Sequence, residues 1–217
     1  MKTLLMKLSL FAIIFSFALI FSSCKEDDAK PILPLAANLV VNIAANPTAN
    51  PDGTPLAATN KFTFYSLREN KIIATSDSAT TKWDIGFRST TVIVNGGTSG
   101  PGQAQAQVMT GIFDELLIAP ETGYASDAAP VYAIPTGSNN GWYTYTGSTG
   151  TPTNSILPLA GKYIAVKTAD GKYAKVEILS YYHGNPSLTD IPTKPGRYYT
   201  FRYIYQPDGT TNLKDTK

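Results

Sequence analysis

Alternating apolar and polar side chains, rather than helical spacing, characterise the chain from about residue 60 onward. The strictest run places Trp83, Ile85 and Phe87 on one face of a strand. Asp84 and Arg88 then fall on the opposite, polar face. A period of two among aromatic and β-branched residues predicts a half-buried β-strand.

The same pattern predicts further strands, two of which flank Asp170-Gly171. An Asp-Gly pair between alternating runs is a strong signal for a tight β-hairpin. The last predicted strand carries a row of aromatic residues on one face, namely Tyr199, Phe201, Tyr203 and Tyr205. The predicted strands lie within residues 39–43, 92–94, 103–109, 141–145, 162–167, 172–182 and 198–205.

These patterns predict an all-β domain over residues 60–217, a predominantly antiparallel sheet with short helical pieces at most. The 17 Gly and 15 Pro residues suit short strands joined by turns better than a helical bundle. Residues 111–118 fit either a short helix or a strand. Residues 24–59 are low in charge and rich in Ala, Asn, Pro and Thr, which predicts a flexible tether around the strand at residues 39–43.

The first 23 residues have the pattern of a secretory signal peptide. A short basic segment precedes an apolar run that is shorter than the ~20 residues needed to span a bilayer. Ser22 and Ser23 then precede Cys24, the only cysteine of the chain, and this arrangement resembles a bacterial lipobox. The sequence therefore predicts a lipid anchor at Cys24; the alternative is an ordinary signal peptide that ends near a cysteine.

An acidic stretch, Glu26-Asp27-Asp28, follows almost directly after Cys24. Such a stretch resembles a surface-export signal of some Gram-negative lipoproteins, and it predicts an outer-membrane protein displayed on the cell surface. The alternative is a charged stub that is simply solvated.

Charge and cysteine content exclude several classes of protein. The chain has 18 basic and 16 acidic residues, but two of the lysines, Lys2 and Lys7, belong to the leader, so the mature chain is formally neutral. A neutral chain without a basic run offers no electrostatic footprint for nucleic acid. One Cys and one His exclude an intramolecular disulfide framework, a Cys-based zinc site and motifs that need two histidines.

Several ordered segments together resemble the HmuY family. They begin with Trp83-Asp84-Ile85-Gly86-Phe87-Arg88 and the glycine-rich loop Asn95-Gly96-Gly97-Thr98-Ser99-Gly100. The others are Gly123-Tyr124 with Asp127, Gly141-Trp142, residues 168–176 and residues 199–203. The resemblance implies a lipid-anchored or shed all-β haem-binding protein of the outer membrane. It also implies iron acquisition, in which the protein captures haem and passes it to a TonB-dependent receptor.

The haem ligands that the resemblance implies are not present. Well-known members of the family hold the haem iron between two His or two Met side chains. One ligand position matches about Gly147, which has no side chain, and the other falls within residues 128–140, which contain neither His nor Met. Neither ligand therefore transfers to this chain.

Other side chains remain as candidate haem ligands, since iron is held by His, Met, Cys or Tyr. The candidates are His183, Met109, Tyr143 and Tyr145. The alternatives are a solvent-exposed turn for His183 and ordinary packing for Met109 and the tyrosines. Haem without an iron ligand is a further alternative, with aromatic stacking on the ring and Lys or Arg at the propionates.

Two functions follow from the sequence. The first is a lipid-anchored outer-membrane protein that binds haem or another porphyrin and passes it to a TonB-dependent receptor. The second is a surface lipoprotein of the same fold without haem ligation, acting as a partner-binding or structural accessory. An enzyme is not expected, because no G-x-S-x-G elbow or phosphate-binding lysine motif occurs.

Overall fold

The alternating pattern produces eleven strands within residues 35–216, the part of the chain that the computed structural model describes. The strands are β1 (Asn38–Ala44), β2 (Thr63–Ser66), β3 (Lys71–Ile73), β4 (Ile85–Arg88), β5 (Thr91–Val94), β6 (Gln105–Thr110), β7 (Tyr143–Tyr145), β8 (Ile156–Pro158), β9 (Lys162–Lys167), β10 (Tyr173–Tyr182) and β11 (Gly196–Gln206). Three single-turn 3-10 helices lie at Thr75–Asp77, Phe113–Glu115 and Ile191–Thr193.

The strands form three antiparallel sheets. The largest has the order β1-β11-β10-β9-β6, the second has the order β3-β2-β4-β5, and β7 and β8 form a two-stranded sheet. The predicted all-β fold, with only short helical pieces, is confirmed.

The Asp170-Gly171 turn joins β9 to β10 as the sequence predicts. Lys167 pairs with Tyr173 at the end of the ladder, and the Gly171 N–H donates to the Thr168 carbonyl at 2.9 Å. Gly171 has a φ of +77°, a conformation that glycine adopts without a side-chain clash. The turn residues therefore set the register of the β9–β10 hairpin.

The N-terminal part of the described chain belongs to the large sheet. β1 pairs with β11, for example Asn38 with Tyr203, and it buries Val40 and Ile43 in the core. The strand predicted at residues 39–43 is therefore observed as β1, and it forms an edge of the large sheet within the segment predicted as a tether. The predicted signal peptide, Cys24 and the acidic stretch lie outside the described residues.

The main core lies between the large sheet and the four-stranded sheet. Phe87 of β4 packs against Tyr199 and Phe201 of β11, with ring centroids 4.7 and 5.3 Å apart. The predicted aromatic face of the last strand is therefore the inner face of the large sheet. Tyr203 is fully buried in the same cluster, and Tyr205 packs against its rim.

A second cluster covers the outer face of the large sheet. Phe113, in the 3-10 turn after β6, packs there against Tyr163 with ring centroids 6.4 Å apart. The Lys175 ammonium is buried beneath this turn and donates to the carbonyls of Phe113 and Leu116 at 2.7 and 2.9 Å. Residues 111–118 thus contain a short helical turn and no strand.

The predicted face for Trp83 and Asp84 is wrong. β4 begins only at Ile85, and Trp83 packs in a separate cluster, 4.5 Å from the Phe64 ring. Asp84 is buried at 5% exposure, because its carboxylate accepts the backbone N–H groups of Leu67 and Ala169 at 2.8 and 3.0 Å. A buried carboxylate is tolerated when backbone N–H groups donate hydrogen bonds to it. These donors come from distant parts of the chain, so the alternation of residues around Asp84 could not reveal them.

Within residues 35–216, no helix has the length and apolarity that a membrane crossing requires.

Candidate functional site

The glycine-rich loop after β5 is organised around the side chain of Asn95. Its amide nitrogen donates to the carbonyls of Thr80 and Trp83 at 2.9 and 2.8 Å, and its amide oxygen accepts the Gly102 N–H at 3.0 Å. Asn95 is fully buried, so all these bonds are shielded from water. This loop residue is therefore structural and offers no free group to a ligand.

The side chain of Asp127 links the segment that follows it to the end of β5, where the same loop begins. Its two carboxylate oxygens accept the N–H groups of Val94 and Ala133 at 2.9 and 2.8 Å. Gly97 has a φ of +61°, and a Cβ there would lie 1.9 Å from the Asp127 carbonyl oxygen. Only glycine fits this close approach of two backbones. The Asn-Gly-Gly segment thus serves the fold rather than a binding site.

An apolar groove lies between β8, the end of β10 and the loop that follows β10. It has a volume of about 330 Å³, and its walls are mostly aliphatic and aromatic. Ligand pockets are commonly about 300–1,000 Å³ and have this kind of lining. The lining residues are Ile156, Leu157, Pro158, Leu179, Ser180, Tyr181, Tyr182, Pro186, Leu188 and Ile191.

Two tyrosines hold one wall of the groove in place. The Tyr182 hydroxyl accepts the Ile156 N–H at 2.9 Å, which ties β8 to β10. The Tyr181 ring packs against Trp142 and Tyr199, at 6.0 and 5.6 Å. Burial raises the pKa of Tyr181, only partly offset by the Ser89 hydroxyl, so its phenol stays protonated at neutral pH.

His183 follows Tyr182 but does not line the groove. Its ring packs edge-on against Tyr198, with centroids 5.2 Å apart, and the backbone N–H of His183 donates to the Pro195 carbonyl at 3.0 Å. Tyr198 precedes the core residue Tyr199, so their side chains occupy opposite faces of β11. His183 therefore lies on the side of the sheet away from the main core.

Met109 is half-buried on β6, where it pairs with Tyr163 and packs against the outer cluster. Its neighbour Val108 pairs with Ile164, which in turn pairs with Val176 of β10. At about 3.3 Å per residue, the stretch of β10 from this row to His183 spans roughly 20 Å. Met109 and His183 thus cannot bind the same iron atom.

Tyr143 and Tyr145 also occupy different environments. Tyr143 is buried, with its ring 4.9 Å from that of Trp142. Tyr145 is 48% exposed and pairs with Ile156, and its hydroxyl donates to the Asn154 side chain at 2.8 Å. Neither ring is part of the groove lining. The structure thus brings together none of the candidate haem ligands as an opposed pair.

The groove itself does not fit the coordination of haem iron. No His, Met or Cys occurs among its lining residues, and no Lys or Arg is present there to meet propionates. The described residues also contain no cluster of three or more His, Cys, Asp or Glu side chains able to hold a metal ion. What the groove offers is apolar and aromatic contact surface.

The groove could not be predicted from the sequence, although His183, next to the lining residue Tyr182, was a candidate. Tyr182, Pro186 and Leu188 surround His183 in the sequence, but a lone apolar residue in a polar loop carries no periodic signal. The feature that points to the groove is the 60% exposure of Leu188, a large aliphatic side chain. This exposure is a property of the folded chain and cannot be seen in the sequence.

Comparison with known proteins gives one family. A model of the HmuY protein family matches residues 58–203, about two-thirds of the chain. No curated protein matches.

Several solved structures are similar to this chain. The apo HmuY analog of Tannerella forsythia superposes with a TM-score of 0.52 at 12% identity, covering 82% of this chain and 100% of that one. A Bacteroides vulgatus protein proposed to be HmuY-like and heme-binding has a TM-score of 0.49 at 18% identity, covering 78% and 91%. The apo PinO structure has a TM-score of 0.43 at 16% identity, covering 80% and 98%.

Proposed function

This chain belongs to the HmuY family, and from that premise we propose that it binds haem or a related porphyrin in the groove between β8 and the end of β10. The groove carries the proposal, because its walls are apolar and aromatic and its volume lies within the range of small-molecule sites. HmuY proteins are binding proteins rather than enzymes, and the role proposed here is capture and release without a chemical step.

The proposal includes the cellular setting that the sequence indicates. Cys24 is the lipid anchor, and the domain is displayed at the surface of the outer membrane. A TonB-dependent receptor takes over the bound porphyrin. Leu35, where the described residues begin, is buried against the outer cluster, so only a short segment separates the anchor from the folded domain.

Titration of the protein from residue 25 onward tests the binding proposal. All the described strands and clusters lie within residues 35–216, so this form keeps every described contact. Ferric and ferrous haem are added while the Soret band is followed, and a saturable shift is expected. No saturable shift in either oxidation state contradicts the proposal.

Leu188→Asp locates the site. Leu188 lines the groove and is 60% exposed, so a carboxylate there disturbs binding with little effect on the core. Leu39→Asp is the matched control, because Leu39 is 63% exposed on β1 and is not part of the groove. We expect at least a tenfold loss of affinity for the first variant and none for the second. Equal affinities would place the ligand elsewhere.

A second candidate function is favoured by the dispersed positions of His183, Met109, Tyr143 and Tyr145. A member of the family without an opposed ligand pair would serve as a partner-binding or structural accessory on the surface. The same titration separates the two functions, because an accessory protein gives no saturable porphyrin signal.

A further inference from the structure

We infer that the groove recognises the porphyrin ring and not its iron, so that metal-free protoporphyrin binds as tightly as haem. This inference rests on the proposed function and specifies the ligand class of the same site. It reverses the expectation from family members that hold iron between two side chains.

The side chains of the groove provide the first argument. Only Tyr181 and Tyr182 among the lining residues belong to the types that coordinate haem iron. Coordination by tyrosine requires the phenolate, and burial of Tyr181 opposes ionisation. The Tyr182 oxygen already accepts the Ile156 N–H, and that bond holds the wall of the groove. Iron at Tyr181 would therefore require ionisation that burial opposes, and iron at the Tyr182 oxygen would compete with the bond to Ile156.

The positions of the remaining donors provide the second argument. His183 packs on Tyr198 away from the main core, and Met109 lies roughly 20 Å away along the sheet. A single molecule in the groove therefore meets no opposed pair of protein ligands. Its binding free energy comes from contact with apolar walls, and the ring offers these walls the same surface with or without iron.

The position of a family ligand provides the third argument. The resemblance assigns that ligand to Gly147, and a Cβ built there has no atom within 4 Å. Apart from the two residues adjacent in the chain, no side chain lies within 4 Å of that Cβ. Gly147 therefore has no replacement ligand in direct contact with it from another part of the described chain.

The lack of charged side chains in the groove also supports recognition of the ring rather than the iron. No Lys or Arg lines the groove, so the carboxylates of a bound porphyrin remain at its open side in water. Recognition by a cation at the propionates would not separate haem from metal-free porphyrin either, since both carry the same two propionates. Selectivity for iron thus has no physical source among the lining residues.

A comparison of ligands tests the inference. The protein from residue 25 onward is titrated with ferric haem, ferrous haem and metal-free protoporphyrin, and quenching of tryptophan fluorescence is followed. Trp142 reports on the groove, because its ring lies 6.0 Å from that of Tyr181. His183→Ala and Met109→Ala are titrated in parallel.

We expect dissociation constants within fivefold of one another for the three ligands, unchanged in both variants. Haem that binds more than fivefold tighter than metal-free protoporphyrin, or a variant that weakens haem alone, overturns the inference and leaves the proposed function intact. If none of the three ligands binds, the proposed function fails and the inference fails with it.

Discussion

The hydroxyl oxygen of Tyr182 accepts the backbone N–H of Ile156 at 2.9 Å, and this bond joins the two-stranded sheet to the large sheet. Ile156 is the first residue of β8, and both residues line the groove. One side chain therefore links two of the strands that line the candidate site.

Tyr182→Phe removes this acceptor and leaves the Ile156 N–H without its partner. We expect a loss of about 1 kcal/mol in the free energy of unfolding, the net contribution of one partly buried hydrogen bond, together with weaker porphyrin binding. Urea unfolding and the haem titration measure the two effects. Tyr145→Phe is the control, because its hydroxyl bonds Asn154 at the surface. Equal losses in both variants would contradict the special role of Tyr182.

Asp84→Asn tests the buried carboxylate that joins two loops. Asp84 accepts N–H groups with both oxygens, whereas an asparagine would present its own NH₂ group to one of these donors. We expect destabilisation of about 2–4 kcal/mol, measured by urea unfolding at pH 7. Asp77→Asn is the control, since Asp77 makes a surface ion pair with Lys82 and should change stability by less than about 1 kcal/mol. A change at Asp84 as small as that at Asp77 would refute the prediction.

The stability of the protein should fall in alkali because buried tyrosines resist ionisation. Burial raises the pKa of Tyr65 to about 12, partly offset by a hydrogen bond with Tyr203. The folded pKa exceeds the unfolded value of about 10, so the stabilising contribution is complete below pH 10 and is lost between pH 10 and 12.

Tyr65→Phe should flatten this loss by about 1.4 kcal/mol per pH unit at most, the contribution of one proton. Urea unfolding at half-unit steps from pH 9 to pH 12 measures the slope for the original protein and the variant. The absolute stability of the variant is lower at neutral pH, because the Tyr65 hydroxyl donates to the Asn70 side chain at 2.6 Å. Identical slopes would show that Tyr65 is not a source of the alkaline sensitivity.

Gly147→His should create an iron ligand where the chain has none. The side chain enters open space, and the φ of +65° at this position is one that histidine tolerates better than most residues. We expect at least a tenfold gain in affinity for haem and no gain for metal-free protoporphyrin, measured by the same titration. Gly53→His controls for an added histidine, because Gly53 has a φ of +86° and open space in a distant loop. A gain in both variants, or in neither, would contradict this prediction.

Cys24→Ala should release the protein from membranes, because the predicted anchor is the acyl group on this cysteine. Fractionation of cells that express the original chain and the variant measures the membrane-bound share. Ser23→Ala is the matched control, since it keeps both the cysteine and a small residue before it. Retention of the Cys24 variant in membranes would rule out the lipid anchor.

The sequence predicted the parts of the fold that depend on local pattern. The Asp170-Gly171 hairpin and the aromatic inner face of β11 are observed as expected, since turn chemistry and a period of two act over a few residues. The same reasoning failed for Asp84, whose two N–H donors come from Leu67 and Ala169, 17 and 85 positions away in the chain. It also did not show that the strand predicted at residues 39–43 joins the large sheet, because β1 finds its partner β11 at the far end of the sequence.

By itself, the sequence determined the all-β class and indicated the family, since strands follow from the alternation of residue types and the resemblance follows from the order of several motifs along the chain. Tertiary structure alone decided that His183 and Met109 lie far apart, and that Ile156, Tyr182 and Leu188 share one groove. The reason is that a binding surface is assembled by contacts between segments distant along the chain. Neither the pattern of a strand nor the composition of a loop specifies those contacts.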